Sequence, residues 1–296
     1  MDSVTNILLL RLSEEEIYYW ETVIADYFFI ASLVFLAFEL IRYLVNKRLG
    51  RDLVADTVTN FITLALFIGI NYLVLAAFYL TAYSWAGQFA LFDIEINWAT
   101  TIVCVVLADL LYYWEHRFMH RVNLGWATHT VHHSSPHFNI SVAYRFGPMD
   151  AVWPIFFSIN LVLLGFNPFV VFFAEMFVQL YQTILHTETI KKLPRPIEAI
   201  FNTPSHHRVH HGVNRQYWDK NYAGIFIIWD RMFGTFVEEE EPVRYGVSEP
   251  LNTANPFTVF LHGFTRLFRD VGKIPGSLNK LKAIIKPPGW QPANRL

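Results

Sequence analysis

Long apolar runs constrain this chain most, because they decide which solvent its helices can face. Three runs, at 27–45, 61–83 and 98–114, are long and almost free of charge. A run of about 19 residues forms a helix about 28 Å long, enough to cross the hydrocarbon core of a bilayer. Charged residues make up only 16% of the chain, against about 25% in typical soluble domains. The sequence therefore predicts membrane-spanning helices.

Two shorter apolar runs follow at 151–164 and 169–184, separated by a Gly-Phe-Asn-Pro turn. Each is close to the lower length limit for a crossing, so they form either two tilted spans or a re-entrant hairpin. Both arrangements place Asp150 and His186 on the same side of the membrane. We therefore expect an all-α integral membrane bundle of four to five spans.

Basic residues predict the orientation of this bundle. Lys47, Arg48 and Arg51 lie between the first two runs, whereas the loop 84–97 contains no lysine or arginine. Because cytoplasmic loops are enriched in these residues, the basic cluster and the end of the third run are expected in the cytoplasm. The segment after residue 184 is then a cytoplasmic helical cap. The membrane would be the endoplasmic reticulum in a eukaryote and the inner membrane in a bacterium.

Three regions follow from this organisation: an N-terminal transmembrane hairpin region at 1–97, a catalytic region at 98–240 and a cytoplasmic or interfacial tail at 241–296. The net charge of −2 and the lack of a basic patch argue against a nucleic-acid partner. The single cysteine, Cys104, lies in an apolar run and predicts no disulfide. The oligomeric state is left open by the sequence.

Histidines supply the strongest chemical signal. Nine of the twelve fall in three boxes and one separate position: His116 and His120 in HRFMH, His129, His132 and His133 in HTVHH, His207, His210 and His211 in HRVHH, and His186 alone. Residues three and four apart share a helix face, so each box presents its imidazoles together. One metal ion takes four to six ligands, so eight or nine imidazoles suit two ions with positions left open. The sequence therefore predicts a di-metal site.

The identity of the metal is less constrained by these residues. A zinc protease is excluded because its HExxH motif needs a glutamate where this chain has Arg117. The glutamate ligands of soluble di-iron bundles are also absent, so zinc, copper and iron remain. Asp109, seven residues before His116, is predicted either to orient a ligating imidazole or to form a helix-packing hydrogen bond. Glu175 has the same two interpretations.

Three further histidines are expected outside the ligand set. His206 breaks the spacing of the third box, and His137 follows the second box by four residues. His262 lies in an aromatic-rich segment that is typical of an interfacial amphipathic helix, and we expect it to be a surface residue.

The three boxes, in this order and near these spacings, resemble the fatty acid hydroxylase/sterol desaturase superfamily over about 109–290. The resemblance implies an integral membrane di-iron enzyme that uses O2 and an electron donor to hydroxylate or desaturate lipids. It also implies that the eight boxed histidines are the ligands, with His186 as an addition.

Within that superfamily, segments such as NTPSHHRVHHG and KPPGW are most similar to enzymes that cleave the ether bond of alkylglycerols. This resemblance implies an ether-lipid substrate and tetrahydrobiopterin as the donor. The chain departs from it at Arg121, where those enzymes carry a glutamate, and we expect Arg121 to meet a lipid phosphate or a neighbouring acid. The alternatives are a sterol or fatty-acyl hydroxylase or desaturase, and a non-catalytic membrane metal-binding protein.

Overall fold

A computed structural model of the chain describes residues 7–74 and 76–292; the ends of the predicted N-terminal and tail regions, at 1–6 and 293–296, lie outside it. The described residues form helices and no β-strand, so the predicted all-α class is confirmed. The α-helices are α1 Glu14–Val45, α2 Arg51–Val74, α3 Ala76–Gly87, α4 Trp98–Arg121, α5 Asn123–His133, α6 Val152–Leu164, α7 Pro168–Thr183, α8 Arg195–Ile200, α9 Pro204–His210, α10 Ile228–Phe233, α11 Pro256–Gly272 and α12 Ser277–Ile285.

Helices α1, α2 and α4 are each long and apolar enough to cross a membrane. These three helices identify an integral membrane protein. Helices α6 and α7 have 13 and 16 residues, or about 20 and 24 Å, which is shorter than the hydrocarbon core. The predicted run at 61–83 is divided between α2 and α3, on either side of residue 75, which lies outside the described chain. Four or five full-length spans are therefore not confirmed.

Helices α1 and α4 begin at the same end of the bundle. Ser13 and Asn97 cap them through reciprocal capping boxes, which satisfy backbone N–H groups that have no partner inside a helix. The residues just before these caps are joined, since the Leu12 N–H donates to the Ile96 carbonyl at 2.8 Å. The C-terminal ends of α1 and α4 consequently lie together at the opposite end of the bundle.

Small side chains allow α4 and α7 to pack closely in the core. Cys104 and Ala108 on α4, and Val171 and Ala174 on α7, are almost completely buried. Lipid tails are as apolar as these side chains, so the stabilising contribution between membrane helices is close van der Waals packing, which small residues allow. This packing fixes the position at which α4 and α7 emerge from the bundle, where the first box and His186 lie.

Polar contacts tie the C-terminal end of α1 to the segments around the histidines. Glu39 accepts hydrogen bonds from the Ile140 N–H at 2.9 Å and from the Thr187 hydroxyl at 2.5 Å. The Tyr43 hydroxyl donates to the Phe138 carbonyl at 3.4 Å. The basic residues that follow α1 therefore lie at the same end of the bundle as the histidine boxes.

Buried Arg145 connects α2 to the end of α5. Its guanidinium donates to Asp56 and Asn60 on α2, both at 2.8 Å, and to the Ser134 hydroxyl at 3.0 Å. A buried arginine is tolerated only where its charge is paired and its N–H groups are satisfied, as they are here. This network holds the second histidine box against the membrane helices.

Candidate metal centre

Four segments deliver the nine predicted histidines to one place. The first box ends α4, the second box lies on α5, the third box lies on α9 and its C-terminal cap, and His186 follows α7. The side chains gather in two groups. Within each group, the ligand nitrogens all lie within 4.8 Å of one another. A five-histidine group contains His116, His120, His129, His133 and His210, and a four-histidine group contains His132, His186, His207 and His211.

Distances within the five-histidine group match those of ligands around one ion. The Nε2 atom of His129 lies 2.9 Å from Nε2 of His116 and 3.1 Å from Nε2 of His133. The Nε2 atom of His210 lies 3.1 Å from that of His133. Metal–imidazole bonds of about 2.1 Å at right angles place neighbouring nitrogens about 3.0 Å apart. These imidazoles are therefore spaced to surround a cation.

The four-histidine group has the same spacing. The Nε2 atom of His186 lies 3.1 Å from Nε2 of His132 and 3.0 Å from Nε2 of His207. The second box divides between the groups, because His132 faces one and His129 and His133 face the other. Two ions could therefore be held side by side across α5.

Backbone carbonyls fix the tautomer of three ligands. The Nδ1–H groups of His116, His186 and His210 donate to the carbonyls of Tyr222, Gln182 and Lys220 at 2.8, 2.9 and 3.0 Å. Each ring then presents an unprotonated Nε2 to its group, as metal-binding histidines commonly do. Lone pairs that face each other at about 3 Å repel, and a cation between them removes that repulsion.

Five buried ring nitrogens have no hydrogen-bond partner within the described residues: Nδ1 of His206 and His207, and Nε2 of His120, His211 and His262. Two of them, Nε2 of His120 and Nε2 of His211, belong to members of the two groups and are candidate ligand atoms. Buried polar atoms without a partner are costly and rare, so each calls for a ligand. A bound metal ion would satisfy both.

Burial keeps these imidazoles neutral. Burial lowers the pKa of His186 to about 3 and the pKa of His210 to about 4, with backbone hydrogen bonds acting in the opposite direction. The pKa values of His132, His207 and His211 are also lowered by burial and by neighbouring imidazoles. Neutral imidazole is the form that binds a metal, so no proton has to be displaced at pH 7.

Asp109 is joined to the segment that carries Tyr222 and to no imidazole within the described residues. Its carboxylate accepts hydrogen bonds from the Ile225 N–H at 2.6 Å, the Phe226 N–H at 2.9 Å and the Trp229 indole at 2.8 Å. The direct contact between Asp109 and a ligating imidazole stays a prediction, while the structure assigns Asp109 to anchoring this segment.

Sequence reasoning missed Asp230, which supports the same segment from its other side. The buried Asp230 carboxylate accepts from the N–H groups of Tyr222 and Ala223, both at 2.8 Å. Glycine at position 224 is required by the close approach of α4, because an added Cβ there would lie 2.5 Å from a carboxylate oxygen of Asp109. Neither feature has a periodic signature in the sequence.

The remaining predicted positions lie outside both histidine groups. His206 contacts Glu198 at 3.0 Å and His137 lies 3.5 Å from Asp52. His262 is half-buried on α11, which packs onto α5, and its Nδ1–H donates to the Val259 carbonyl at 2.7 Å.

Arg121 and Glu175 also have defined partners. Arg121 is half-exposed and its guanidinium donates to Asp219 at 2.7 Å, so it meets a neighbouring acid as predicted. Glu175 accepts from the Tyr83 hydroxyl at 3.0 Å, which is the helix-packing contact that was one of its two interpretations.

A cavity of about 760 Å³ extends from the histidines into the helical bundle. His129, His132 and His186 line one end of it. Most of its wall is apolar and comes from α2, α3, α4, α6 and α7, including Leu64, Phe67, Ile68, Leu80, Phe172, Met176 and Leu180. A volume of this size suits a small apolar molecule.

Long apolar helices and two ion-sized groups of nine histidines, eight buried and His132 partly buried, define the class of this protein. It is a membrane protein with a candidate metal centre. Residues 101–235 match the model of the fatty acid hydroxylase family. The predicted resemblance to that superfamily is confirmed.

Several curated relatives share the name alkylglycerol monooxygenase. The Homo sapiens protein is 46% identical over 185 residues, the Danio rerio protein 47% over 186 residues, and the Xenopus tropicalis protein 44% over 206 residues. These matches cover 62%, 62% and 68% of this chain and 41%, 41% and 44% of the respective relatives. The chain thus spans less than half the length of each of these three relatives. No solved structure matches it.

Proposed function

We propose that this protein is a di-iron, O2-dependent lipid monooxygenase. The observation that carries the proposal is the opening of two ion-sized imidazole groups onto a membrane-embedded apolar cavity. A metal store or a metal carrier would not need an apolar cavity of this size. The arrangement instead brings a lipid chain beside two ions, which favours catalysis over simple metal binding.

Iron fits the donor set and the family. Imidazole suits iron as well as zinc or copper, and the match to the fatty acid hydroxylase family favours iron among them. The two groups hold five and four nitrogens, so the four-histidine group leaves open positions on an ion that prefers six ligands. When bound, two ferrous ions supply the redox chemistry that activates O2. The chain supplies orientation of the ions, a dry cavity and a fixed place for the lipid.

An ether lipid is the proposed substrate, because the relatives at 44–47% identity are named alkylglycerol monooxygenase. Insertion of one oxygen atom of O2 at the carbon beside the ether oxygen gives a hemiacetal. The other oxygen atom leaves as water, using two electrons and two protons from the donor. The hemiacetal then collapses to a fatty aldehyde and glycerol.

The electron donor and the location complete the proposal. We include a tetrahydropterin as donor on the resemblance of the histidine segments alone. The active site is proposed to face the cytoplasm, because the basic cluster after α1 lies at the same end of the bundle as the histidines. The membrane would be the endoplasmic reticulum in a eukaryote or the inner membrane in a bacterium.

The test combines metal content with product analysis. Purified, detergent-solubilised protein should hold close to two iron ions per chain and release aldehyde from an alkylglycerol when O2 and tetrahydropterin are both present. One ion per chain in fully active protein would contradict the two-ion site. Hydroxylation of a sterol or fatty-acyl lipid without any aldehyde from an alkylglycerol would replace the substrate and leave the metal site intact.

A further inference from the structure

The wall of the cavity carries acidic side chains beside its apolar surface. Glu115 on α4, Asp150 before α6 and Glu175 on α7 all line the cavity, as does Glu21 near the start of α1. None of the described residues that line it is a lysine or an arginine. Carboxyl groups in an apolar wall are expensive, and such groups in membrane proteins mark functional positions.

Glu115 is the buried acidic residue of this wall whose carboxyl has no hydrogen-bond donor within the described residues. Its side chain is 4% exposed, and no hydrogen bond to its carboxyl exists within the described residues. It directly precedes His116 yet belongs to neither histidine group, so it lies beside the metal centre without being one of its ligands. A buried carboxyl without a partner, aimed into a cavity, requires hydrogen-bond donors from whatever fills that cavity.

Asp150 presents a second free acceptor. One of its oxygens accepts the Gly147 N–H, whereas the other, Oδ1, is buried with no partner in the described part of the chain. Glu175 differs, since it already accepts the Tyr83 hydroxyl. Acceptors without donors are therefore found at Glu115 and Asp150.

We propose that Glu115, assisted by Asp150, binds the hydroxyl groups of the lipid head. This inference rests on the proposed function, because it assigns the head-group contacts of the ether-lipid substrate. In an alkylglycerol the nearer hydroxyl is only a few bonds from the carbon beside the ether oxygen. The residue that binds this hydroxyl must therefore lie next to the metal ligands, as Glu115 does.

The test measures binding without turnover, using the iron-loaded protein in the absence of O2. Equilibrium dissociation constants are compared for a 1-O-alkylglycerol and for the matching alkyl propyl ether, which lacks both hydroxyl groups. Because the propyl ether is no larger than the alkylglycerol and has no hydrogen-bond donor, wild-type protein should bind the alkylglycerol about tenfold more tightly than the propyl ether.

Variants at Glu115 then identify the acceptor. Glu115→Leu should reduce the tenfold preference for the hydroxylated lipid to nearly none, while Glu115→Gln, which keeps one acceptor oxygen, should retain part of it. Glu21→Gln is the matched control, since Glu21 lies at the opposite end of the cavity near the start of α1. Iron content of each variant verifies that the fold is intact, and the Gln variant keeps the test decisive if the Leu variant does not fold.

An unchanged preference for the alkylglycerol in an iron-loaded Glu115→Leu or Glu115→Gln protein would overturn the inference. Failure of the proposed function looks different. Hydroxyl-dependent binding through Glu115 without aldehyde formation under O2 would remove the ether cleavage and support the head-group site. Aldehyde formation with a Michaelis constant indifferent to Glu115→Gln and Glu115→Leu would support the function and overturn the head-group site.

Discussion

The histidines of the two groups differ in the hydrogen-bond partner of the ring nitrogen that points away from the group. In His116, His186 and His210 a backbone carbonyl accepts the Nδ1 proton and fixes the ring orientation. A backbone carbonyl does not titrate, so this hydrogen bond orients the ring without depending on the protonation of another side chain. The site is thus built partly from backbone atoms that no sequence motif encodes.

His132 is the residue of the second box that turns toward the four-histidine group, which makes it a selective probe. His132→Ala should reduce the iron content from about two ions to about one per chain and abolish turnover, because one of only four ligands is lost. Iron analysis by mass spectrometry together with the aldehyde assay measures both effects. His137→Ala serves as the control, since His137 lies outside both groups. Half of the wild-type activity in His132→Ala would remove His132 from the ligand set.

Asp109 allows its two predicted roles to be separated by substitution. In Asp109→Asn one acceptor oxygen is replaced by an amide that faces N–H donors, which should lower the free energy of unfolding by about 1–3 kcal/mol. Because the anchored segment carries the Tyr222 carbonyl that orients His116, iron affinity should also fall, by about 10- to 100-fold. Thermal unfolding and iron titration give the two values, with exposed Asp93→Asn as control. A loss of stability at unchanged iron affinity would leave Asp109 with helix packing alone.

The clustering of the nine histidines was predictable from the sequence, because a box encodes its own geometry. Spacings of three and four residues place imidazoles on one helix face wherever that helix lies. The division of the second box between two groups was not predictable, because it depends on where α4, α7 and α9 meet α5. The hydrogen bonds between Tyr222 and His116 and between Asp230 and the Tyr222 segment were not predictable either, because these residues are far from α4 in the sequence.

At the scale of helices, the position of α5 depends on how closely α11 crosses it. Gly263 of α11 lies against the Ala127 carbonyl, and an added Cβ would overlap that backbone oxygen. Backbone atoms cannot move aside as a flexible side chain can, so this crossing tolerates only glycine. Helix α11, the amphipathic tail helix that was expected at the membrane interface, therefore packs tightly on α5, which carries three of the candidate ligands.

Gly263→Ala should consequently destabilise the protein by about 1–3 kcal/mol, because α11 must shift away from α5. The matched control is Gly272→Ala at the end of the same helix, where an added Cβ meets nothing within 4 Å. There the lower helix entropy cost of alanine predicts a neutral to slightly stabilising effect. Thermal unfolding of both variants in detergent measures the difference. Equal midpoints for the two variants would show that the crossing is not tight.

For the whole molecule, apolar runs predicted the membrane class and three spanning helices but not the count of crossings. Periodicity and length describe each helix by itself, and α6 and α7 fall between a core helix and a span. What decides their placement is tertiary packing: α7 contacts α1 and α4, and α6 contacts α3 and α4. These contacts and the cavity that they enclose join residues that are far apart in the sequence, so no local sequence pattern predicts them.

Orientation in the membrane is the remaining property of the whole molecule, and the structure allows a direct measurement of it. Cys104 is buried and is the only cysteine, so Cys104→Ser gives a background without reactive thiols. Into this background a single cysteine is placed either at Glu240, in the histidine-bearing cap, or at Asp93, in the loop between α3 and α4; both positions are exposed.

In sealed vesicles whose cytoplasmic face is outward, a membrane-impermeant maleimide should label Glu240→Cys and leave Asp93→Cys unlabelled until detergent is added. The physical reason is the position of Lys47, Arg48 and Arg51, which lie at the end of the bundle that carries the histidines, whereas the loop 84–97 has no basic residue. Labelling of Asp93→Cys alone would invert the orientation and place the metal centre on the opposite face. Labelling of both positions before detergent would contradict a spanning α4, because that helix is what separates the two sites.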